Sequence, residues 1–387
     1  KTKKYGKKLI SVKNELQFLN KFASKKRDSS LAKILAITGS AGKTSLKNLA
    51  CELLKNFGAT LSSPKSYNNK YGVPISLSLL ETKHKYGIFE VGMSKKGEID
   101  KLTKLIKPEI AIITNIGEAH IENFKNLKGI ASAKGEVINN IKKNGTIILN
   151  RDDKYFDFLM KKAKLKKLKV VSFGLNKKAD VYPSKIRKKG QNNFMLIKIR
   201  GKTFRLEYKN INIHNILASL SLLNELKLDL SKVSKNFRNY LPSEGRGKIH
   251  NIKRYKKFFK LVDESYNANP LSTKNAIETF NSIKKGKFKK YLLLGDMLEL
   301  GKNSEFFHKN LSKVINNSDI DKVFIKGVKS LITYKNLIKS KRGNIFQQEE
   351  DMDFTLNNII ANNDYLMIKG SNATGLNNFT RKMIRGY

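Results

Sequence analysis

The chain has one cysteine, Cys51, in 387 residues. A single thiol excludes an intramolecular disulfide framework and suits a reducing cytoplasm, where this protein is expected to reside. Cys51 lies on an apolar helical stretch and reads as core. Long hydrophobic runs are also missing, since no stretch approaches the roughly 18 apolar residues that span a membrane. The opening KTKKYGKKLISVKNEL is basic but has no hydrophobic segment of the kind a signal peptide carries. Acidic residues are scarce, with 32 Asp and Glu against 78 Lys and Arg, a formal charge of +46. Such an excess raises nucleic-acid binding as a function. However, the lysines are spread along the whole chain, and no aromatic-plus-basic RNA-binding signature accompanies them. The charge reads as a lysine-rich background, and no specific nucleic-acid partner is expected. Repeats and low-complexity segments are absent beyond that lysine bias.

What is present is a rhythm of β-branched apolar runs separated by helical spacers. Strands are predicted at 34–38, 86–91, 110–115, 146–150 and 169–173, the alternation of a mainly parallel sheet with ligands at its carboxyl edge. Between Asp180 and Tyr208 the texture changes to short antiparallel strands, with turns at Gly190–Asn193 and Gly201. Helical periodicity returns over 214–230. The stretch Leu241–Gly247 (LPSEGRG) reads as an interdomain linker. A second alternating series follows, with strands at 258–263, 291–295, 322–326 and 365–369. The expected fold class is therefore α/β: a central ATPase domain of mostly parallel sheet plus a small antiparallel sheet, then a Rossmann-like α/β domain. The boundaries fall at 1–33, 34–243 and 244–387.

The most informative segment is Ile34–Ser45 (ILAITGSAGKTS), an apolar strand running into Thr38, Gly39, Ser40, Ala41, Gly42, Lys43, Thr44 and Ser45 and then a helix. This is the layout of a phosphate-binding loop: backbone N–H groups and a helix N-terminus cradle anionic oxygens, the lysine neutralises them, and the hydroxyl meets Mg²⁺. The spacing departs from G-x-x-x-x-G-K-[ST], because Ile37 stands where the first glycine belongs. Other polar groups gather at strand ends. Glu90 interrupts the apolar run YGIFEVG, and a buried carboxylate requires a partner or a metal. Asn115, Glu118 and His120 follow the third strand in TNIGEAH. ASAKGE, with Lys134, is expected to start another helix. Asp263 and Glu264 close a strand that leads into the polar turn SYNANP, and LGDMLELG leaves the next one.

These motifs resemble those of the Mur ligases, the ATP-dependent amino-acid ligases of peptidoglycan precursor synthesis. The resemblance runs from about residue 34 to 375. TGSAGKTS is similar to the family loop T-G-[ST]-x-G-K-[ST]-[ST], which accounts for the displaced glycine. YNNKYGVP, TNIGEAH and AKGE are family-like in order and separation, and DESYNANP with LGDMLELG resembles the branch that adds D-alanyl-D-alanine. Carried over by residue, the resemblance implies that Lys43 and the loop from Thr38 to Ser45 bind ATP. Thr44 and Glu90 would hold one Mg²⁺, and His120 and Lys134 a second, with Lys134 as a carbamate. A carbamate there requires a deprotonated amine, so burial and adjacent metal charge must lower the lysine pKa from about 10.4. Asn215, Arg246, Asp263 and Glu264 match nucleotide-contacting positions, with Arg246 toward the γ-phosphate. Asn68, Asn69, Asn267 and Asn269 fall on the substrate side. The implied substrates are UDP-N-acetylmuramoyl-tripeptide and D-Ala-D-Ala, and the implied state is a monomer. A folylpolyglutamate synthase-like ligase is the alternative, and a basic nucleic-acid-binding ATPase a further one.

Three departures stand out. The family's H-N-x-x-N reads His214-Asn215-Ile216-Leu217-Ala218 here, and K-G-S-R reads Lys369-Gly370-Ser371-Asn372. The family also carries an N-terminal UDP-sugar domain, whereas 33 residues precede the loop strand. The chain is accordingly expected to be a fragment of a longer protein, with 1–33 a remnant of that domain and its linker.

Overall fold

The computed structural model describes residues 11–189, 192–209 and 211–386. Of the turn expected at Gly190–Asn193, residues 190 and 191 lie outside them, as do the first ten residues of the basic N-terminal stretch. The chain enters through α1 (Glu15–Asp28), whose first turn is capped by the side chain of Asn14. Helix and strand then alternate: β1 (Lys33–Thr38), α2 (Lys43–Leu54), β2 (Thr60–Ser62), α3 (Gly72–Ser78), β3 (Tyr86–Glu90), α4 (Glu98–Ile106), β4 (Ile110–Ile113), α5 (Leu127–Lys134), β5 (Thr146–Asn150), α6 (Phe156–Leu165) and β6 (Lys169–Phe173). These strands run parallel in the order β2-β3-β1-β4-β5-β6. Helices cover both faces, so β1 is buried at five consecutive positions, with Ile34 and Ala36 in one core and Leu35 and Ile37 in the other.

Three antiparallel strands follow, β7 (Val181–Lys189), β8 (Asn192–Ile199) and β9 (Lys202–Tyr208). They extend the same sheet, joined to it by one residue pair, Phe173 opposite Val181. α7 (Ile213–Glu225) and α8 (Ser234–Asn239) complete this half. The predicted start of a helix at ASAKGE is corrected: Lys134 is the last residue of α5. The overlooked start signal is Asn126, whose side chain accepts the Gly129 N–H. From Gly135 the chain tightens into a 3₁₀ turn.

The second half begins with a hairpin, β10 (Lys248–Arg254) and β11 (Lys257–Glu264), turned by Tyr255 and Lys256 at φ +57° and +56°. It continues through α9 (Pro270–Asn281), β12 (Lys290–Gly295), α10 (Ser304–Asn316), β13 (Lys322–Lys326), α11 (Ser330–Lys335), β14 (Arg342–Phe346), α12 (Glu349–Ile359), β15 (Tyr365–Lys369) and α13 (Leu376–Arg385). The sheet order is β10-β11-β15-β12-β13-β14, parallel except for the edge hairpin. Among the described residues no helix is long and apolar enough to cross a membrane. The site is placed by topology: β1 is flanked by β3 and β4, so the order reverses there and a crevice opens at its carboxyl end.

Candidate active site

The loop after β1 is held by the end of β4. Ser40 Oγ donates to the Gly117 carbonyl at 2.9 Å and accepts the Gly117 N–H at 2.8 Å. The Ala41 N–H donates to Asn115 Oδ1 at 2.9 Å, and Thr114 Oγ1 donates to the Ala41 carbonyl at 2.7 Å. Asn115 is therefore a brace for the loop. Two glycines are obligatory here. At Gly39 (φ +144°) a Cβ would fall 1.8 Å from Thr114 Oγ1, and Gly42 (φ +81°) caps α2 with Asn215 Oδ1 3.2 Å from where its Cβ would be. Asn215 thus packs beneath the loop that the sequence ties it to. The first turn of α2 then presents its free N–H groups to the crevice.

Beside it, Thr44 Oγ1 donates to Glu90 Oε2 at 2.8 Å, and Asn68 Nδ2 donates to Glu90 Oε1 at 2.7 Å. Glu90 is only 1% exposed. A buried carboxylate paired with a loop hydroxyl is a hard-oxygen donor set. Among the described residues no three His, Cys, Asp or Glu cluster as a complete metal cage. That pattern fits Mg²⁺, which takes one or two carboxylates and completes its shell with phosphate oxygens and water.

Two lysines converge on one backbone oxygen. Lys43 Nζ donates to the Gly39 carbonyl at 2.7 Å and Lys134 Nζ donates to the same carbonyl at 3.0 Å. Burial pushes the Lys134 amine well below the usual lysine range, and the Lys43 charge adds to the effect. Lys43 is also lowered by removal from water, with Glu90 opposing the shift and Arg246 reinforcing it.

His120 leaves the β4 loop at φ +59°, and its Nδ1 lies 2.7 Å from Glu299 Oε2, across the boundary between the two halves, without making a hydrogen bond among the described residues. No hydrogen bond or ion pair joins His120 to Lys134 among the described residues, so the two expected holders of a second ion are not in direct contact. From the second half, the Arg246 guanidinium stacks on the Tyr266 ring at 4.1 Å and donates to Ser66 Oγ at 3.3 Å. Asn269 forms the capping box of α9 with Ser272, and its Nδ2 donates to the Ser40 carbonyl at 3.4 Å. Asn69 Oδ1 accepts the Tyr71 and Gly72 N–H groups at 3.1 and 2.9 Å, which fixes the entry to α3. Asn267 Oδ1 accepts the N–H of Ala268, and its carbonyl accepts from Lys369 Nζ.

All these groups face one cleft of about 1990 Å³ between the two halves. Every predicted site residue lines it except Thr38, Gly39 and Asp263. Thr38 and Gly39 lie behind the loop, and the buried Thr38 hydroxyl has no hydrogen-bond partner among the described residues. Asp263 is placed away from the expected nucleotide contact. Strand alternation turns it to the other side of β11 from Glu264, where its oxygens accept the Gly245 N–H at 2.6 Å and the Ser265 hydroxyl at 2.6 Å. It braces the linker instead.

Residues 37–223 match the Mur ligase middle domain, and residues 250–372 match the Mur ligase glutamate ligase domain. The UDP-N-acetylmuramoyl-tripeptide–D-alanyl-D-alanine ligase of Buchnera aphidicola subsp. Baizongia pistaciae is 33% identical over 385 residues, covering 98% of this chain and 81% of that protein. The chain belongs to the Mur ligase family. The equivalent enzyme of Rickettsia prowazekii is 32% identical over 373 residues, 95% of this chain and 82% of its own. The crystal structure of MurF ligase from Thermotoga maritima in complex with ADP superimposes with a TM-score of 0.85 at 23% identity, covering 98% of this chain and 86% of that one. That likeness establishes a shared fold.

Four residues of this Mur ligase cleft have no role assigned to them by the sequence alone. Ser66 stands 3.3 Å from Thr44 Oγ1 and 3.3 Å from Arg246, bridging the loop and the linker. It follows β2, three residues long and too short to register as a strand. Asp152 lies 2.8 Å from His214 Nε2 while accepting the Leu175 and Asn176 N–H groups. Lys369, 1% exposed, donates to Glu264 at 3.2 Å. Glu299 sits in the recognised LGDMLELG motif, but its role depends on a contact that only the packing of the two halves creates.

Proposed function

We propose that this chain joins D-Ala-D-Ala to UDP-N-acetylmuramoyl-tripeptide at the expense of ATP. The observation that carries the reading is the single cleft in which the phosphate loop of one half meets Arg246, Asn269 and Lys369 of the other. Its volume exceeds the roughly 300–1,000 Å³ of a site for one small ligand, as a nucleotide plus two substrates demands. The names of the relatives supply the substrate class.

In this reading Lys43 and the first-turn amides of α2 hold the β- and γ-phosphates. The terminal carboxylate of the tripeptide attacks the γ-phosphorus, the bond to ADP breaks, and an acyl phosphate results. The amine of D-Ala-D-Ala adds to its carbonyl carbon, loses a proton, and the tetrahedral intermediate expels phosphate. Most of the acceleration then comes from positioning and charge neutralisation. Mg²⁺ bound by Thr44 and Glu90 would neutralise phosphate oxygens, and a second ion is assigned to His120 and Lys134. Burial holds the Lys134 amine toward its neutral form, the form that adds CO₂, and a carbamate there would replace a cation beside Lys43 with an anion. Arg246, on the linker that joins the halves, is positioned to sense the γ-phosphate as the domains close.

The test is phosphate release by the full chain given ATP, Mg²⁺, UDP-N-acetylmuramoyl-tripeptide and D-Ala-D-Ala. Release that depends on D-Ala-D-Ala and disappears in Lys43→Ala supports the assignment. Equal release without the dipeptide, or full activity in Lys43→Ala, refutes it.

A further inference from the structure

The two oxygens of the buried Glu90 carboxylate are engaged by two different elements. Thr44 Oγ1, in the first turn of α2, donates to Oε2 at 2.8 Å. Asn68 Nδ2, on the segment between β2 and α3, donates to Oε1 at 2.7 Å. The amide must present its nitrogen here, because an ionised carboxylate only accepts. The two donors are not equivalent. A hydroxyl can turn its lone pairs toward a cation, whereas the amide nitrogen has none to offer and stays a donor.

The segment that carries Asn68 is fastened to the end of β3 and to α2. The Ser63 N–H donates to the Ile88 carbonyl at 2.9 Å, and the Glu90 N–H donates to Ser63 Oγ at 3.0 Å. The Gly92 N–H donates to the Asn68 carbonyl at 2.8 Å. Gly92 leaves the amide its room, since a Cβ there would fall 2.8 Å from Asn68 Oδ1. Lys47, only 1% exposed and one turn along α2 from Lys43, donates to the Ser63 carbonyl at 2.6 Å and to the Lys65 carbonyl. The Asn68 amide thus reaches Glu90 from a backbone fixed by main-chain bonds and by a buried ammonium.

We propose that Asn68 is a positioning residue that keeps Glu90 monodentate toward the cation and thereby selects Mg²⁺ over Ca²⁺. With Oε1 held by the amide, the carboxylate has one oxygen left to give, the one beside the Thr44 hydroxyl. Mg²⁺ takes single oxygens in a strict octahedron and keeps several waters. Ca²⁺ takes about six to eight oxygens in a looser shell and readily accepts both oxygens of one carboxylate. A pinned oxygen therefore deprives Ca²⁺ of a ligand and deprives Mg²⁺ of none. The proposal rests on the reading of Thr44 and Glu90 as the Mg²⁺ site, and its test separates the two.

ADP affinity is measured by isothermal titration calorimetry in saturating Mg²⁺, in saturating Ca²⁺ and in EDTA. The samples are the full chain, Asn68→Ala, Asn68→Asp, Glu90→Gln, and Tyr67→Phe as a control on the same segment. Unchanged thermal midpoints identify folded samples. The parent and Tyr67→Phe should bind ADP more tightly with Mg²⁺ than with Ca²⁺. Removing an outer partner of a metal ligand costs roughly 10–100-fold in metal affinity, so Mg²⁺-dependent binding should weaken by that range in Asn68→Ala. Binding with Ca²⁺ should weaken less, because Oε1 is freed, and the preference for Mg²⁺ should narrow by about tenfold. Asn68→Asp keeps the size, replaces the donor with a second carboxylate, and should narrow the preference at least as far. A parental preference in Asn68→Ala, equal losses with both ions, or a parent without any preference would overturn this proposal alone. ADP binding that is absent in the parent, or that neither EDTA nor Glu90→Gln weakens, would overturn the ion-holding role of Glu90, and this proposal with it.

Discussion

Lys134 in the first half and Lys290 in the second are buried to the same depth, at 1% and 0% exposure. Their surroundings differ. Lys290 Nζ donates to both oxygens of Asp319, at 2.9 and 2.7 Å, and to the carbonyls of Phe280, Asn281 and Ile283 where α9 ends. It closes the helix and neutralises a carboxylate. Lys134 has one acceptor, the Gly39 carbonyl, and shares it with the Lys43 ammonium. Depth alone therefore does not tell a well-paired lysine from one held toward its neutral form. The acceptor inventory does, because an ammonium with three donors and one shared acceptor is held toward its neutral form.

The comparison is tested most severely at Lys43, the second cation on that carbonyl. Lys43→Ala is expected to lower ligase turnover by about 10³-fold or more, judged against other preorganised charge contacts, with an unchanged far-ultraviolet spectrum. Next comes Lys290→Met, which leaves Asp319 unpaired and three carbonyls short of a donor. Breaking a buried pair costs about 3–5 kcal/mol, reduced here to ~2–3 because Asp319 is 30% exposed. The thermal midpoint should then fall by roughly 6–10 °C. A fall of less than 2 °C would mean that its acceptors do not matter.

Lys341→Met probes the intermediate case. Its Nζ donates to the carbonyls of Ser318 and Ile320, at 2.6 and 2.8 Å, without a carboxylate, so the expected loss is about 1 kcal/mol by urea denaturation. The smallest stability effect, with the opposite sign, is expected at Lys134. Folding lowers its proton affinity, so the unfolded state binds more protons, and stability rises with pH from the depressed folded value toward the ordinary 10.5. Lys134→Met should abolish turnover, raise the midpoint near neutral pH by ~2 °C, and flatten its rise as pH climbs toward 10.5, as followed by calorimetry. A midpoint that falls would show that the lysine is better satisfied than its contacts indicate.

The same contrast explains what the sequence could disclose. The phosphate loop, Glu90 and the strand-end motifs were legible because each combines an apolar run with a polar break at its end. The parallel core was legible because strands buried on both faces read as continuous β-branched runs. Lys290 and Lys341 were not. In a chain so rich in lysine, no local pattern separates a buried ammonium from a solvated one, and their acceptors lie on other elements. Ser66 was lost because a three-residue strand carries no period. Lys134 stands out in ASAKGE, but at the end of its helix and not the start, because the start signal is the cap at Asn126 upstream. The misassigned Asp263 follows from alternation: two adjacent carboxylates on a strand cannot both face the same cleft.

The join between β6 and β7 has a consequence of its own. A single ladder pair joins the antiparallel strands to the parallel sheet, yet Asp180 also accepts the Ser172 N–H at 2.7 Å, and Val181, Met195 and Leu206 share one hydrophobic core with Leu35 and Ile37 of β1. The sheet is thus nearly broken in its ladder but continuous in its core. The outer three strands are therefore expected to unfold together with the parallel strands rather than apart from them.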